Sequence, residues 1–101
     1  MHTYRAKIVK IVDGDTVDFD VDLGFRISTK IRTRLLDIDT PERGHRDWAK
    51  ATSVLTNLLN EQQDEEGYVI IETKKTGKYG RWLVGIDGVN VSLAIVWPYN
   101  D

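Results

Sequence analysis

Five charged side chains in this sequence sit where they could do chemistry together. They are Asp15 in "VDGDT" (12–16), Arg34, Asp39 and Glu42 in "RLLDIDTPE" (34–42), and Arg81 just ahead of "WLVGID" (82–87). Cleaving a phosphodiester needs a cation for a nonbridging oxygen, a base for water, and donors for the transition state. Asp15 and Asp39 are hard carboxylate ligands suited to Ca²⁺ or Mg²⁺. Glu42, three residues after Asp39, could reach a metal-associated water without being a ligand itself. Arg34 and Arg81 can present forked donors to phosphate oxygens. Taken singly, Asp-Gly-Asp is an ordinary turn and Asp-Thr-Pro-Glu an ordinary strand-to-helix connection. Their combination with two arginines points to chemistry. His2 and His45 lack a third partner for a His-based metal site. The absence of cysteine excludes disulfides and Cys-ligated zinc.

A sheet is what would gather these groups. Residues 4–12 (YRAKIVKIV) and 16–23 (TVDFDVDL) alternate as strands do, with Val17, Phe19, Val21 and Leu23 on one face and Asp18, Asp20 and Asp22 on the other. The Asp row reads as a solvated strand face. "DGD" between the two runs predicts a tight turn in which Gly14 supplies positive φ. Residues 26–38 predict a third strand, whose apolar positions do not keep one parity and so call for a bulge. Pro41 ends it. From about Arg46 to Gln62 the period becomes helical, through Trp48, Ala51, Leu55, Leu58 and Leu59, with Asp47 in the first turn favouring the helix dipole. Residues 68–73 and 81–87 predict two more strands around the turn "KKTGKYG", and residues 90–96 a short helix. Three strands, a helix and two strands is the order of an OB-fold, a five-stranded Greek-key barrel of mainly β, α+β class.

At 101 residues, with 41% hydrophobic and 30% charged positions, the chain has the composition of a single globular domain. Its net charge of −2 does not suggest a nucleic-acid binder, but the charges are segregated: residues 13–22 carry five Asp and no cation, residues 26–35 four cations and no anion. Lys74, Lys75, Lys78 and Arg81 form a second basic group. Such segregation suits a site holding both a cation and a polyanion. No run approaches the roughly 20 apolar residues of a membrane span, and no signal-peptide core is present, so a soluble, cytoplasmic protein is expected, or a secreted one if a precursor was processed. Trp48, Trp82 and Trp97 read as core or interface, and Tyr79 as the better base-stacking residue.

"IVDGDTV" (11–17), "RLLDIDTPE" (34–42) and "GKYGRWL" (77–83) resemble, in order, the three signature segments of the staphylococcal nuclease (thermonuclease-like) family, over residues 4 to about 96. The resemblance implies one domain over residues 1–101 that hydrolyses DNA or RNA with calcium and little sequence preference, leaving 3′-phosphates. It places Asp15, Asp39 and the Thr40 carbonyl on the calcium, Glu42 as general base, Arg34 and Arg81 as catalytic arginines, and Asp13 close behind the metal. Lys78 and Tyr79 fall on positions that touch the nucleotide's terminal phosphate. The alternative is a non-catalytic member of the fold that binds nucleic acid or a protein partner. Such domains typically lose the acidic ligands or arginines, all of which are kept here. Gly77 replaces an Asp of many relatives, the loop after Glu42 is short, and "WPYND" stands where relatives continue into another helix. Without that helix, Val91, Leu93, Ile95, Val96, Trp97 and Tyr99 need cover, either from the tail folding back or from a second copy. The balance favours a homodimer through this face.

Overall fold

The alternation of residues 16–22 is what builds the barrel wall. In the structure, a computed structural model describing residues 2–75 and 81–99, Val17, Phe19 and Val21 point inward and are buried, while Asp18, Asp20 and Asp22 line the outer face. The elements are β1 (His2–Asp13), β2 (Thr16–Asp22), β3 (Ser28–Leu35), α1 (Trp48–Gln62), β4 (Tyr68–Lys75), β5 (Trp82–Gly85) and α2 (Val89–Val96). The strands close in the order β1-β2-β3-β5-β4, with β4 pairing back onto β1 and β3 running parallel to β5. This is an OB-fold barrel, with one helix between the third and fourth strands and a short helix at the end.

The bulge expected within residues 26–38 is absent. β3 pairs with β2 in unbroken register from Ser28 to Arg34, and it stops at Leu35 instead of continuing to residue 38. Parity changes there because the chain turns through Asp37 at φ 66, leaving Ile38 in an isolated bridge to Pro98. The register shifts belong to β1, between Ile8 and Lys10 and between Ile11 and Asp13. The first lets Tyr4, Ala6, Ile8 and Ile11 all reach the core although their spacing is not uniformly two, and leaves Val9 half exposed. Leu23, expected on the inner face, lies beyond the end of β2 and is 47% exposed.

Helix α1 buries Ala51, Leu55 and Leu59, one stripe at four-residue spacing, and contacts β1 and α2. Asp47 precedes the first turn instead of lying in it, and its side chain makes no capping hydrogen bond. Helix α2 inserts Val89 and Leu93 into the same core, while Val91, Ile95 and Val96 remain exposed. Asn90 pins this end of the barrel: its Oδ1 accepts the Ile86 N–H at 2.8 Å, and its Nδ2 donates to the carbonyls of Leu36 (2.9 Å) and Val84 (3.1 Å). Among the described residues, no helix is long and apolar enough to cross a membrane.

Candidate active site

The turn from β1 into β2 delivers Asp15 to a nearly buried position, 7% exposed. A carboxylate so placed needs partners, and the surrounding chain provides them. Its Oδ1 accepts the Thr16 hydroxyl at 3.0 Å, and its Oδ2 accepts the Thr40 backbone N–H at 3.1 Å. Its own carbonyl accepts the Leu35 N–H at 2.7 Å, which locks the turn onto the end of β3. Segments 25 residues apart in sequence are therefore joined through one side chain.

Arg34 brings the second carboxylate in. Facing out of β3 between the buried Thr33 and Leu35, its Nη2 lies 3.2 Å from Asp39 Oδ1 and 3.7 Å from Asp15 Oδ2. One guanidinium thus stands between the two aspartates that the sequence singles out. Arg81 comes immediately before β5, two residues ahead of Leu83, which is the register partner of Arg34. Parallel pairing of β3 with β5 therefore sets Arg81 just ahead of the strand that neighbours Arg34's own. Glu42 is exposed on the connection into α1, and only its backbone carbonyl is engaged, by the His45 N–H at 3.0 Å. Lys78 and Tyr79 lie outside the described residues.

Gly14 has a role that turn chemistry did not suggest. It is absent from the positive-φ glycines, so the turn does not need its conformational freedom. A Cβ at this position would instead stand 2.9 Å from Ala51 Cβ, 2.9 Å from Thr40 Oγ1 and 3.0 Å from Thr40 Cβ. Glycine is required because the turn, the Thr40 segment and α1 meet here without room for a methyl group.

Asp13 accepts the Trp48 indole N–H at 2.6 Å, so its carboxylate ties the start of α1 to the end of β1. Arg43 lies over the same indole ring, 5.0 Å from its centroid. Trp48 thus works as an anchor at the edge of the site, which its place in the helical stripe did not reveal. The tail also contributes. The Asp39 N–H donates to the Trp97 carbonyl at 3.0 Å, the Tyr99 N–H donates to the Asp37 carbonyl at 3.0 Å, and Arg34 lies 5.7 Å from the centre of the Tyr99 ring. Residues 97–99 therefore fold back onto the chain and help fix Asp39, while the outer face of α2 stays uncovered.

The donors assembled here are all oxygen, the set a hard cation such as Ca²⁺ prefers. Asp15 and Asp39 offer carboxylates and Thr40 a backbone carbonyl. No group of three or more His, Cys, Asp or Glu among the described residues could hold a metal. Two carboxylates and one carbonyl would give such a cation only part of the roughly six to eight oxygens it takes.

No family model matches the chain. Its sequence is 36% identical over 90 residues to Protein ParB of Escherichia coli, which covers 89% of this chain and 45% of that protein. It is 36% identical over 80 residues to the micrococcal nuclease of Shigella flexneri, covering 79% of this chain and 40% of that one. The chain spans less than half the length of either relative. Over most of its own length it is related in sequence to a micrococcal nuclease.

Proposed function

We propose that the chain is a staphylococcal-nuclease-like domain that hydrolyses nucleic-acid phosphodiesters with calcium, leaving 3′-phosphates. The observation that carries this reading is the Arg34 guanidinium set between Asp15 and Asp39. Two carboxylates and an arginine converge at one end of the barrel, where a phosphate and its cation would both find opposite charge. The likeness to the micrococcal nuclease supports it. Asp15, Asp39 and the Thr40 carbonyl would hold the ion, with water and a substrate phosphate oxygen filling its remaining positions. When bound, calcium would supply positive charge to a nonbridging oxygen of the phosphate whose phosphorus is attacked.

The chain's own residues do the rest. Glu42 takes the proton from the attacking water as its oxygen bonds to phosphorus. The bond to the 5′ oxygen breaks, and that oxygen leaves with a proton from solvent. Arg34 and Arg81 donate to the oxygens on which charge builds in the transition state. Asp13 acts at a distance, by holding Trp48 and so the entry to α1. Self-association through the exposed face of α2 belongs to the same proposal, and sedimentation at micromolar concentration checks it.

The test is incubation with single- and double-stranded DNA and RNA, in millimolar Ca²⁺ and in chelator. A site of this donor count is expected to bind Ca²⁺ at about 10⁻⁴–10⁻³ M. Cleavage in calcium and none in chelator is the expected outcome. Intact substrates throughout would overturn the hydrolase reading, and binding without cleavage would establish the non-catalytic module in its place.

A further inference from the structure

The end of the barrel wall opposite the Asp15–Arg34 cluster carries a feature that the fold does not explain. Strands β2 and β3 are joined by a turn in which the Ile27 N–H donates to the Gly24 carbonyl at 2.9 Å. Its two central residues, Phe25 and Arg26, have φ of 54° and 62°. Hairpins favour this left-handed geometry, but Asn and Gly are the residues that adopt it cheaply. A phenylalanine and an arginine adopt it here under strain, and the result is display. Phe25 is 97% exposed, Ile27 58% and Leu23 47%. Strain kept at an exposed aromatic residue calls for a use outside the fold.

Charge on the wall below the tip shows what kind of partner suits it. Register places Lys7 and Lys30 on either side of Asp20, and Lys10 and Arg32 on either side of Asp18. Arg32 binds Asp18 through two hydrogen bonds of 2.8 and 3.1 Å, and Asp22 is occupied by the Gly24 N–H at 2.8 Å. Leaving out Arg34, which Asp15 and Asp39 engage, and counting Arg26 at the tip, five cations stand against the three aspartates here, although the whole chain is net negative. An apolar tip at the end of a cationic strand face, which leads to a phosphate-seeking site, matches a single strand of nucleic acid: phosphates for the cations and a base for the ring.

We propose that the β2–β3 tip is a docking site for single-stranded nucleic acid, in which a base stacks on Phe25 and Arg26 meets the adjoining phosphate. This rests on the nuclease reading and extends its substrate contact away from the scissile bond. From Ser28 to Arg34 the strand rises six residues, or roughly 20 Å at about 3.4 Å each. Only a strand of several nucleotides touches the tip and the site at once.

Phe25→Gly removes the ring and relieves the left-handed strain, so the variant should melt no lower than the parent. A labelled 12-nucleotide DNA strand, titrated in chelator and followed by fluorescence anisotropy, should bind this variant about tenfold more weakly, the effect of losing one stacked base. Phe25→Trp should restore binding. In calcium, cleavage of a 3-nucleotide strand, too short to span both places, should be unchanged by either substitution. Unaltered 12-nucleotide binding by Phe25→Gly would overturn the proposal, as would failure of Phe25→Trp to restore it. Equal loss on the 3-nucleotide strand would also overturn it. If Phe25→Gly instead abolished co-sedimentation with phosphatidylserine vesicles and left the oligonucleotide untouched, the tip would be a lipid contact. Should the parent cleave nothing, the hydrolase reading fails by itself, and the anisotropy still decides the docking site.

Discussion

Placing a methyl group on Gly14 tests how the turn, the Thr40 segment and α1 depend on one another. In Gly14→Ala the new Cβ meets Ala51 Cβ at 2.9 Å, Thr40 Oγ1 at 2.9 Å and Thr40 Cβ at 3.0 Å. Ordinary carbon contacts lie at about 3.5–4.0 Å, so the surroundings must yield by roughly 0.5–1 Å. Two of the three atoms are Cβ atoms, which no rotamer change can move, so the backbone of α1 or of residue 40 has to shift. Overpacking of this kind costs about 1–3 kcal/mol, and each kcal/mol lowers the melting temperature of a domain this size by about 4–8 °C. A fall of roughly 5–20 °C in thermal unfolding followed by circular dichroism is therefore expected. Because Thr40 donates to Asp15 and adjoins Asp39, calcium-dependent stabilisation should weaken as well. Gly24, at φ +83 with nothing within 4 Å of its Cβ position, is the control. There the penalty is conformational, and Asn should be tolerated better than Ala, because Asn enters the left-handed region more readily. At position 14 Asn should be worse than Ala, since the penalty is one of space. If Gly14→Asn proved as stable as the parent, the close-approach explanation would be wrong.

Other substitutions probe separate parts of the molecule. Asn90→Ala removes three hydrogen bonds that join β5, the end of β3 and α2, at about 1 kcal/mol each. Urea unfolding should register a loss of about 3 kcal/mol, and a change no larger than ~0.5 kcal/mol would show that those groups find other partners. The hydrogen bond from Arg32 holds the Asp18 carboxyl below its ordinary value of 3.8. A carboxylate with a depressed native pKa stabilises the fold above the unfolded pKa and loses that contribution as pH falls through the native one. Asp18→Asn should accordingly melt below the parent at neutral pH, and the gap should close as the pH is taken below 3.8. A gap that stayed constant down to low pH would point to packing and not charge. Glu42→Gln should leave the melting temperature unchanged, since the side chain is exposed, and lower turnover by about 10²-fold. Full activity in that variant would remove Glu42 from the role of base. Arg34→Ala should lower turnover by a similar ~10²-fold and also change the calcium titration, because Arg34 contacts both carboxylates.

How much of this could be read without coordinates depends on the range over which each interaction acts. The inward Val17, Phe19 and Val21 and outward Asp18, Asp20 and Asp22 follow from a two-residue period, and the Ala51–Leu55–Leu59 stripe from a helical one. Those periods are written locally, so the element order and the barrel class were legible, as were the aspartates and arginines at element ends. Pairing across the chain was not. A broken alternation looks the same in sequence whether a strand bulges or simply ends. In residues 26–38 it marks the end of β3 and the turn at Asp37, whereas the register shifts within a strand belong to β1. A glycine in a turn looks the same whether it supplies positive φ or empty space, and only the approach of Thr40 and Ala51 identified Gly14 as the second kind. The anchoring of Asp13 by Trp48, and the hold of Trp97 and Tyr99 on the Asp37–Asp39 backbone, join residues about 35 to 60 positions apart. No local pattern records such contacts, because they depend on the closed barrel bringing distant segments together.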